Sequence, residues 1–209
     1  MGRYTGPTER LSRRAGVELE LKGERRLARK SGLDRRAYPP GVHGGRSGRR
    51  PSTYAIQLAA KQAAKRYYGV RERQFRRYVR EAQRATGSRT GERLLQLLEL
   101  RLDNALTRLG FAATRAQARQ FVVHGHVEVN GRRCDIPSRR VAAQDVVAIR
   151  SASPVRAASE LATELTERVA PWLLADTDAL VGRVLREPAR GEIQAPVEEQ
   201  LIVEFYSRV

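Results

Sequence analysis

Over residues 1–50 the apolar positions have no steady period. Leu11, Val17, Leu19, Leu21, Leu27 and Leu33 are too dispersed to promise an independent core, and Pro39-Pro40-Gly41 followed by Gly44, Gly45 and Gly48 resists regular structure. The segment reads as an irregular arm, of a kind that can order on a partner that neutralises its arginines. Beyond it the pattern turns helical. Ser52, after Pro51, is placed to cap a helix that runs through an Ala-, Gln-, Leu- and Lys-rich stretch to Tyr68 and stops at Gly69. Phe75, Tyr78, Val79 and Ala82 then recur at i, i+3, i+4 and i+7, one apolar stripe, with Arg73, Arg76, Arg77, Arg80 and Arg84 on the remaining circumference and Gly87 as the stop. Thr90, with Glu92 in the first turn, opens a longer helix whose buried side carries Leu94, Leu98, Leu102, Ala105, Leu106 and Leu109 up to Gly110.

After Phe111 the period changes. Thr114 and Gln117 have capping-box spacing and open a short helix with Ala118, Phe121 and Val122 inward and Arg115 and Arg119 on an outer face. Gly125 lets the chain leave it. Val127 and Val129 alternate with His126 and Glu128 as a strand, Asn130-Gly131 is a strong hairpin signal, and the return strand carries Cys134 and Ile136. Val141 and Val146 to Ile149 suggest further strands around a Gln144-Asp145 turn. A helix is predicted over 157–169, with Leu161, Leu165 and Val169 inward and Glu160, Glu164 and Glu167 outward, stopped by Pro171. The ending, 196–206, mixes apolar and acidic residues and reads as a short helix or strand packed on the body. Helices followed by a small sheet and more helix make this an α+β chain.

Composition narrows the function. The 209 residues carry 40 Lys+Arg against 23 Asp+Glu, a net charge of +17, and 41% are hydrophobic. The excess is uneven: +9 over residues 1–50, +12 over 51–150 and −4 over 151–209. A basic body with a mildly acidic end points to a polyanionic partner along the first three-quarters of the chain. Only Lys22, Lys30, Lys61 and Lys65 are lysines. Guanidinium forks match phosphate oxygens and stack on bases, which favours nucleic acid. An arginine-preferring codon usage would explain the Arg/Lys ratio but not the asymmetry. An anionic membrane surface fits less well, because no strongly amphipathic basic-aromatic helix is present. The longest apolar run, 169–175, is short of the roughly 18 residues a transmembrane helix needs, and residues 1–7 lack the apolar core of a secretory signal. A soluble, cytoplasmic protein is expected.

Candidate chemistry follows the charge. Arg115 and Arg119 on their short helix are candidate phosphate contacts, the alternative being a solvated helix face. Arg73, Arg76 and Arg77 carry the same proposal and the same alternative. His43, in the Gly-rich turn, suits hydrogen bonding or an RNA contact better than catalysis. His124 and His126 are too few for a metal site, one cysteine (Cys134) cannot build a thiolate cluster, and 44–50 lacks the Gly-Lys-Ser/Thr of a P-loop. Asp176 and Asp178 read as a solvated loop. No nucleophile, base and oxyanion site assemble, so no enzyme is expected, and no cofactor or metal.

The block Arg101-Leu102-Asp103-Asn104, Leu109-Gly110-Phe111, then Thr114-Arg115, Ala118-Arg119, Val122, Gly125, Val127 and Val129-Asn130-Gly131 resembles the S-four RNA-binding module. Outside it, Met1-Gly2-Arg3-Tyr4, Gly6-Pro7, Tyr38-Pro39-Pro40-Gly41, His43-Gly44, Glu72-Arg73-Gln74-Phe75, Pro171-Trp172-Leu173 and the ending from Gln200 resemble the bacterial or plastid small-subunit ribosomal protein S-four family, in order over essentially the whole chain. The resemblance implies a basic arm (1–50), a helical domain (51–98, completed by 155–209), and an inserted module (99–154) of two helices against a small, mostly antiparallel sheet. It implies a structural, primary ribosomal RNA-binding protein that nucleates assembly on the five-prime domain of small-subunit ribosomal RNA. The protein would remain near the channel that admits messenger RNA, contact small-subunit protein S-five and neighbouring proteins, and influence decoding accuracy. Some members repress their own operon. Carried over by position, the RNA-binding set is Arg3, Tyr4, Arg10, Arg13, Arg14, Arg35, Arg36, Tyr38, His43, Arg46, Arg49, Arg50, Arg73, Arg76, Arg77, Arg115, Gln117, Arg119, His124, Asn130 and Arg132. Tyr4 and Tyr38 would stack on bases or riboses, or else pack on the body; Asn130 is mainly a turn residue. Two positions depart from the family. Where many members carry four zinc-binding cysteines, this chain has Glu9, Ser12, Arg26 and Ser31, as in the cysteine-free, zinc-independent version. Gln144 stands where the module usually has glycine, which predicts a reshaped or strained turn.

Overall fold

In a computed structural model, residues 4–23, 30–45, 50–166 and 169–207 are described. Arg3, Arg26, Leu27, Arg46, Gly48, Arg49 and Glu167, all singled out above, lie outside them. The chain forms two compact units, residues 1–95 with 194–209, and residues 96–193.

The first unit is helical: α1 (Glu9–Ala15), α2 (Gly32–Arg35), α3 (Thr53–Tyr67), α4 (Glu72–Arg84), the first half of α5 (Thr90–Glu99) and, after the gap in sequence, α9 (Glu199–Ser207). Ser52 caps α3, its hydroxyl accepting from the Ala55 N–H. The α4 stripe is buried as its spacing requires, Phe75, Tyr78, Val79 and Ala82 each at 2% exposure or less. The ending is a helix, and it packs along α3: Tyr54 and Phe205 rings lie 5.7 Å apart, and the Gln57 amide donates to Glu204 at 2.8 Å. The arm is more ordered than its apolar spacing suggested. It contains α1 and α2, and Leu19 is fully buried.

The second unit carries α6 (Leu102–Arg108), α7 (Arg115–Val123), α8 (Arg156–Glu164) and five strands: β1 (Val127–Val129), β2 (Arg132–Cys134), β3 (Val146–Ile149), β4 (Leu173–Asp176) and β5 (Val181–Val184). They form one antiparallel sheet in the order β2-β1-β3-β5-β4. Its inner face, Val127, Val129, Val147, Ile149 and Val184, shares a core with Leu102, Leu106, Phe111, Val122 and Trp172. The β4–β5 hairpin was not read from the sequence, and it places 173–184 beside β3 rather than with the helices. Asp176 accepts from the Asp178 and Ala179 N–H groups in its turn, so the carboxylate pair 176/178 is turn chemistry.

Two helix predictions are corrected. The single helix expected from Thr90 to Leu109 breaks at Arg101, whose backbone is extended (φ −67°, ψ 139°) and bridges to Arg140. There the Leu102 N–H donates to Arg139 O and the Val141 N–H to Leu100 O, so a passing segment satisfies the groups an unbroken helix would have paired. The helix expected over 157–169 is shorter and rotated. It runs Arg156–Glu164 on a buried line of Ser159 and Ala162, and leaves Leu161 61% exposed.

Gln144 does adopt the left-handed conformation, at φ 71°, while its N–H donates to Val184 O at 2.7 Å. A side chain there strains the backbone that glycine would accept freely. Gln144→Gly is therefore expected to raise stability by about 1 kcal/mol, read as a higher midpoint in thermal or denaturant unfolding.

Candidate nucleic-acid interface

In the helical unit, the arm builds a cleft. A Glu9 carboxylate oxygen on α1 accepts from the Gly32 N–H that opens α2. The Ser12 hydroxyl accepts from the Leu19 N–H at 3.3 Å, and the Ser31 hydroxyl caps α2 through the Asp34 N–H at 3.2 Å. Between these staples lies an open cleft of about 580 Å³ lined by Arg10, Arg13, Lys30, Arg35 and Arg36, with Pro7, Glu9, Gly32 and Pro40 as its less basic wall. Five cations against one already engaged carboxylate make it an anion-receiving surface.

Two arm arginines are braces as well as candidates. Arg13 Nε donates to both Arg36 O and Tyr38 O at 3.1 Å, and its guanidinium stacks 5.0 Å from the Tyr38 ring. Arg14 donates to Pro40 O at 3.2 Å. Tyr38 keeps 42% of its surface exposed and Tyr4 54%, the latter with its hydroxyl donating to Pro7 O. Arg10, Arg35, Arg36, His43 and Arg50 are exposed. Arg66 was missed by sequence reading, because it sits in a helix that looked merely Ala-rich. Burial, and then Arg14 beside it, push its pKa down against the opposing pull of Tyr4. On α4, Arg73, Arg76, Arg77, Arg80 and Arg84 are all exposed.

In the sheet-bearing unit the outer-face placement of Arg115 and Arg119 is corrected. Arg115 is 7% exposed and its Nε donates to Asn104 Oδ1 at 2.7 Å; Arg119 Nη1 donates to Asp103 Oδ2 at 3.0 Å. Asp103 also takes a two-pronged contact from Arg101, at 3.0 and 2.7 Å, and Glu99 one from Arg108, at 2.9 and 2.8 Å. The Asn104 amide closes the network by donating to Glu99 Oε2 at 2.7 Å. The α7 arginines turn inward because α6 presents Asp103 and Asn104 to them. Gln117 is a cap: its own N–H donates to Thr114 Oγ1 and its Oε1 accepts from the Ala113 N–H. Asn130 (φ 54°) is held as a turn residue, its amide donating to Asp145 at 2.7 Å and its oxygen accepting from the Val146 N–H. His124 and Arg132 are exposed, as are Arg133, Arg139 and Arg150, which sequence reading did not select. Arg133 lies on β2 and Arg150 directly follows β3, so the predicted strands were the signal for these two; Arg139 lies in the loop between them.

Groups of three or more His, Cys, Asp or Glu able to hold a metal ion are absent among the described residues, and no described helix is long and apolar enough to cross a membrane.

An arginine-rich helical unit joined in sequence to a two-helix, antiparallel-sheet module defines an RNA-binding class of architecture, and comparison with known proteins makes it specific. Residues 3–99 match the family described as ribosomal protein S4/S9 N-terminal domain, and residues 100–147 match the S4 domain. The chain is 57% identical over 209 residues to small ribosomal subunit protein uS4A of Symbiobacterium thermophilum, covering all of both chains. It is 52% identical over 210 residues to uS4 of Natranaerobius thermophilus and 50% identical over 212 residues to uS4 of Thermus thermophilus, again over the full length of each. The chain belongs to the ribosomal protein S4 family.

Proposed function

We propose that the chain is a structural constituent of the small ribosomal subunit, not an enzyme, and that it works in the cytoplasm by binding ribosomal RNA. The observation that carries this is the α4 face: five arginines are exposed on one thirteen-residue helix, while its Glu72 is engaged by Lys61 and Lys65. Such a face gains free energy by replacing the counterions of a folded phosphate backbone. In this reading the arm cleft enters a junction of the five-prime domain of the RNA, and the protein contributes to decoding accuracy beside protein S-five and close to the messenger path. The full-length likeness to ribosomal uS4 proteins supports it.

We also read the arm as zinc-independent. Glu9, Ser12 and Ser31 stand where the family's cysteines would, and each is already spent on a backbone N–H, so the hydrogen bonds of α1 and α2 do the cross-linking a metal would do.

The protein is expected to remain with small subunits through high-salt washing in a sucrose gradient, where a transient factor would dissociate. Its affinity for a five-prime domain transcript should fall by about 10³-fold or more between low and moderate salt. Replacing Arg73, Arg76 and Arg77 together by glutamine should flatten that log–log slope by about 3, with no loss of folding because all three are exposed. An unchanged slope would remove α4 from the interface.

A further inference from the structure

We propose that His124, His126, Arg133 and Arg150 form a proton-linked phosphate site, which takes one phosphodiester of the RNA backbone and gains a proton on an imidazole as it does so. The proposal rests on the RNA-binding reading above and adds residues and a pH response to it. The four side chains come from separate elements: His124 from the end of α7, His126 from the link into β1, Arg133 from β2 and Arg150 from the end of β3. The two imidazole rings are 6.0 Å apart between centroids. The Arg133 guanidinium lies against the Gly125 backbone, so close that a Cβ on Gly125 would stand 2.2 Å from its Nε, and Gly125 has φ 76° besides. Arg150 is tied from the other side, its Nη1 donating to Gly125 O at 3.4 Å and its Nε 3.3 Å from Glu128.

Glu128 is the one carboxylate in this group, and Arg150 engages it. Arg133 stands opposite Glu128 in the β1–β2 register, and it is exposed. Two imidazoles and two guanidiniums are thus held together by backbone geometry with a single acid, which is the arrangement that a phosphate completes. Burial, then the neighbouring His124, Arg150 and Arg133, push the His126 pKa down, so the free protein disfavours a proton on this ring. A phosphate placed among the same groups reverses the balance of charge at the ring and raises that pKa. By linkage, a group protonated more readily in the complex makes binding tighter as pH falls.

The test is the affinity of the full chain for a five-prime domain transcript from about pH 8 to about pH 6 at constant ionic strength, with ring titration of His126 by NMR in the free and bound states. Tightening by up to about tenfold per pH unit is expected for one proton taken up. His126→Gln should abolish most of that slope, because the amide cannot take up the proton. Arg133→Gln should weaken binding at every pH. A slope that survives His126→Gln, or a His126 pKa that RNA does not raise, overturns the proposal while salt-dependent binding leaves the broader RNA reading intact. An elevation produced by inorganic phosphate and not by RNA would also overturn it, and failure to bind the transcript at low salt would sink both.

Discussion

Asp103→Ala is expected to destabilise the sheet-bearing unit by about 3–5 kcal/mol, because it removes one side of a buried ion pair. Asp103 is 3% exposed and Arg101 2%, with the Arg101 guanidinium gripping both carboxylate oxygens. Removing the acid takes from a buried guanidinium the carboxylate it grips with two hydrogen bonds, so much of its desolvation cost is no longer offset. It also takes from Arg119 of α7 its Asp103 partner on α6, loosening the contact between these two helices. The pair itself need not add net stability over an apolar filling of the same shape; the penalty lies in breaking one side of it. Trp172 is the chain's one tryptophan and is 1% exposed within this unit's core, so denaturant unfolding followed by its fluorescence reports the unit directly. Arg119→Gln, at a side chain 16% exposed, should cost only about 1 kcal/mol. A shift below that size for Asp103→Ala would mean that Arg101 is stabilised by other groups.

The same network shows where sequence reading succeeded and where it could not. The α3 boundaries, the α4 stripe and the Asn130-Gly131 turn were legible because each depends on local chemistry: a serine cap, a period of 3.6, two residues tolerant of positive φ. The positive φ at Gln144 was also foreseeable, because the family resemblance implies a glycine at that position. The break at Arg101 was not, because Leu94 to Leu109 keeps a helical period through it, and only the segment around Arg139 and Arg140, distant in sequence, supplies the competing hydrogen bonds. The rotation of α8 has the same origin: leucines at 161 and 165 suggest one face, and the core accepts the smaller Ser159 and Ala162 instead.

For the candidate site, the charge excess and the arm arginines were readable from composition, and α4 presents its arginines as the period demands. Arg115 and Arg119 were misplaced because four-residue spacing says only that two side chains share a face, not which face meets a buried acid. The cluster around His126 was invisible for a related reason. Its members stand at 124, 126, 133 and 150, and only the pairing of β1 with both β2 and β3 brings them together.

Acid should loosen the helical unit through one carboxylate. Partial burial works to raise the Glu72 pKa, but hydrogen bonds from Lys61, Lys65 and Tyr206, with the charge of Lys61, outweigh it and lower it from 4.5 to about 2. Lys61 and Lys65 donate to its two oxygens at 2.8 and 3.0 Å, and the Tyr206 hydroxyl of α9 donates at 2.9 Å. Lys61 also lies 4.7 Å from the Phe205 ring, so this one carboxylate ties α3, α4 and α9 together. Because the folded pKa lies below the unfolded one, the stabilisation is complete above about pH 4.5 and is lost as pH falls towards 2. Glu72 keeps 45% of its side chain exposed, so solvent screening reduces its worth to about 1–2 kcal/mol. Glu72→Gln should remove that amount at neutral pH and flatten the acid limb of the stability curve. Hydrogen exchange of the Glu199–Ser207 amides is the direct readout: their protection should fall in the variant at neutral pH and in the parent only in acid. Equal protection in both proteins at neutral pH would show that apolar packing of Ile202 and Phe205 alone holds the helix down.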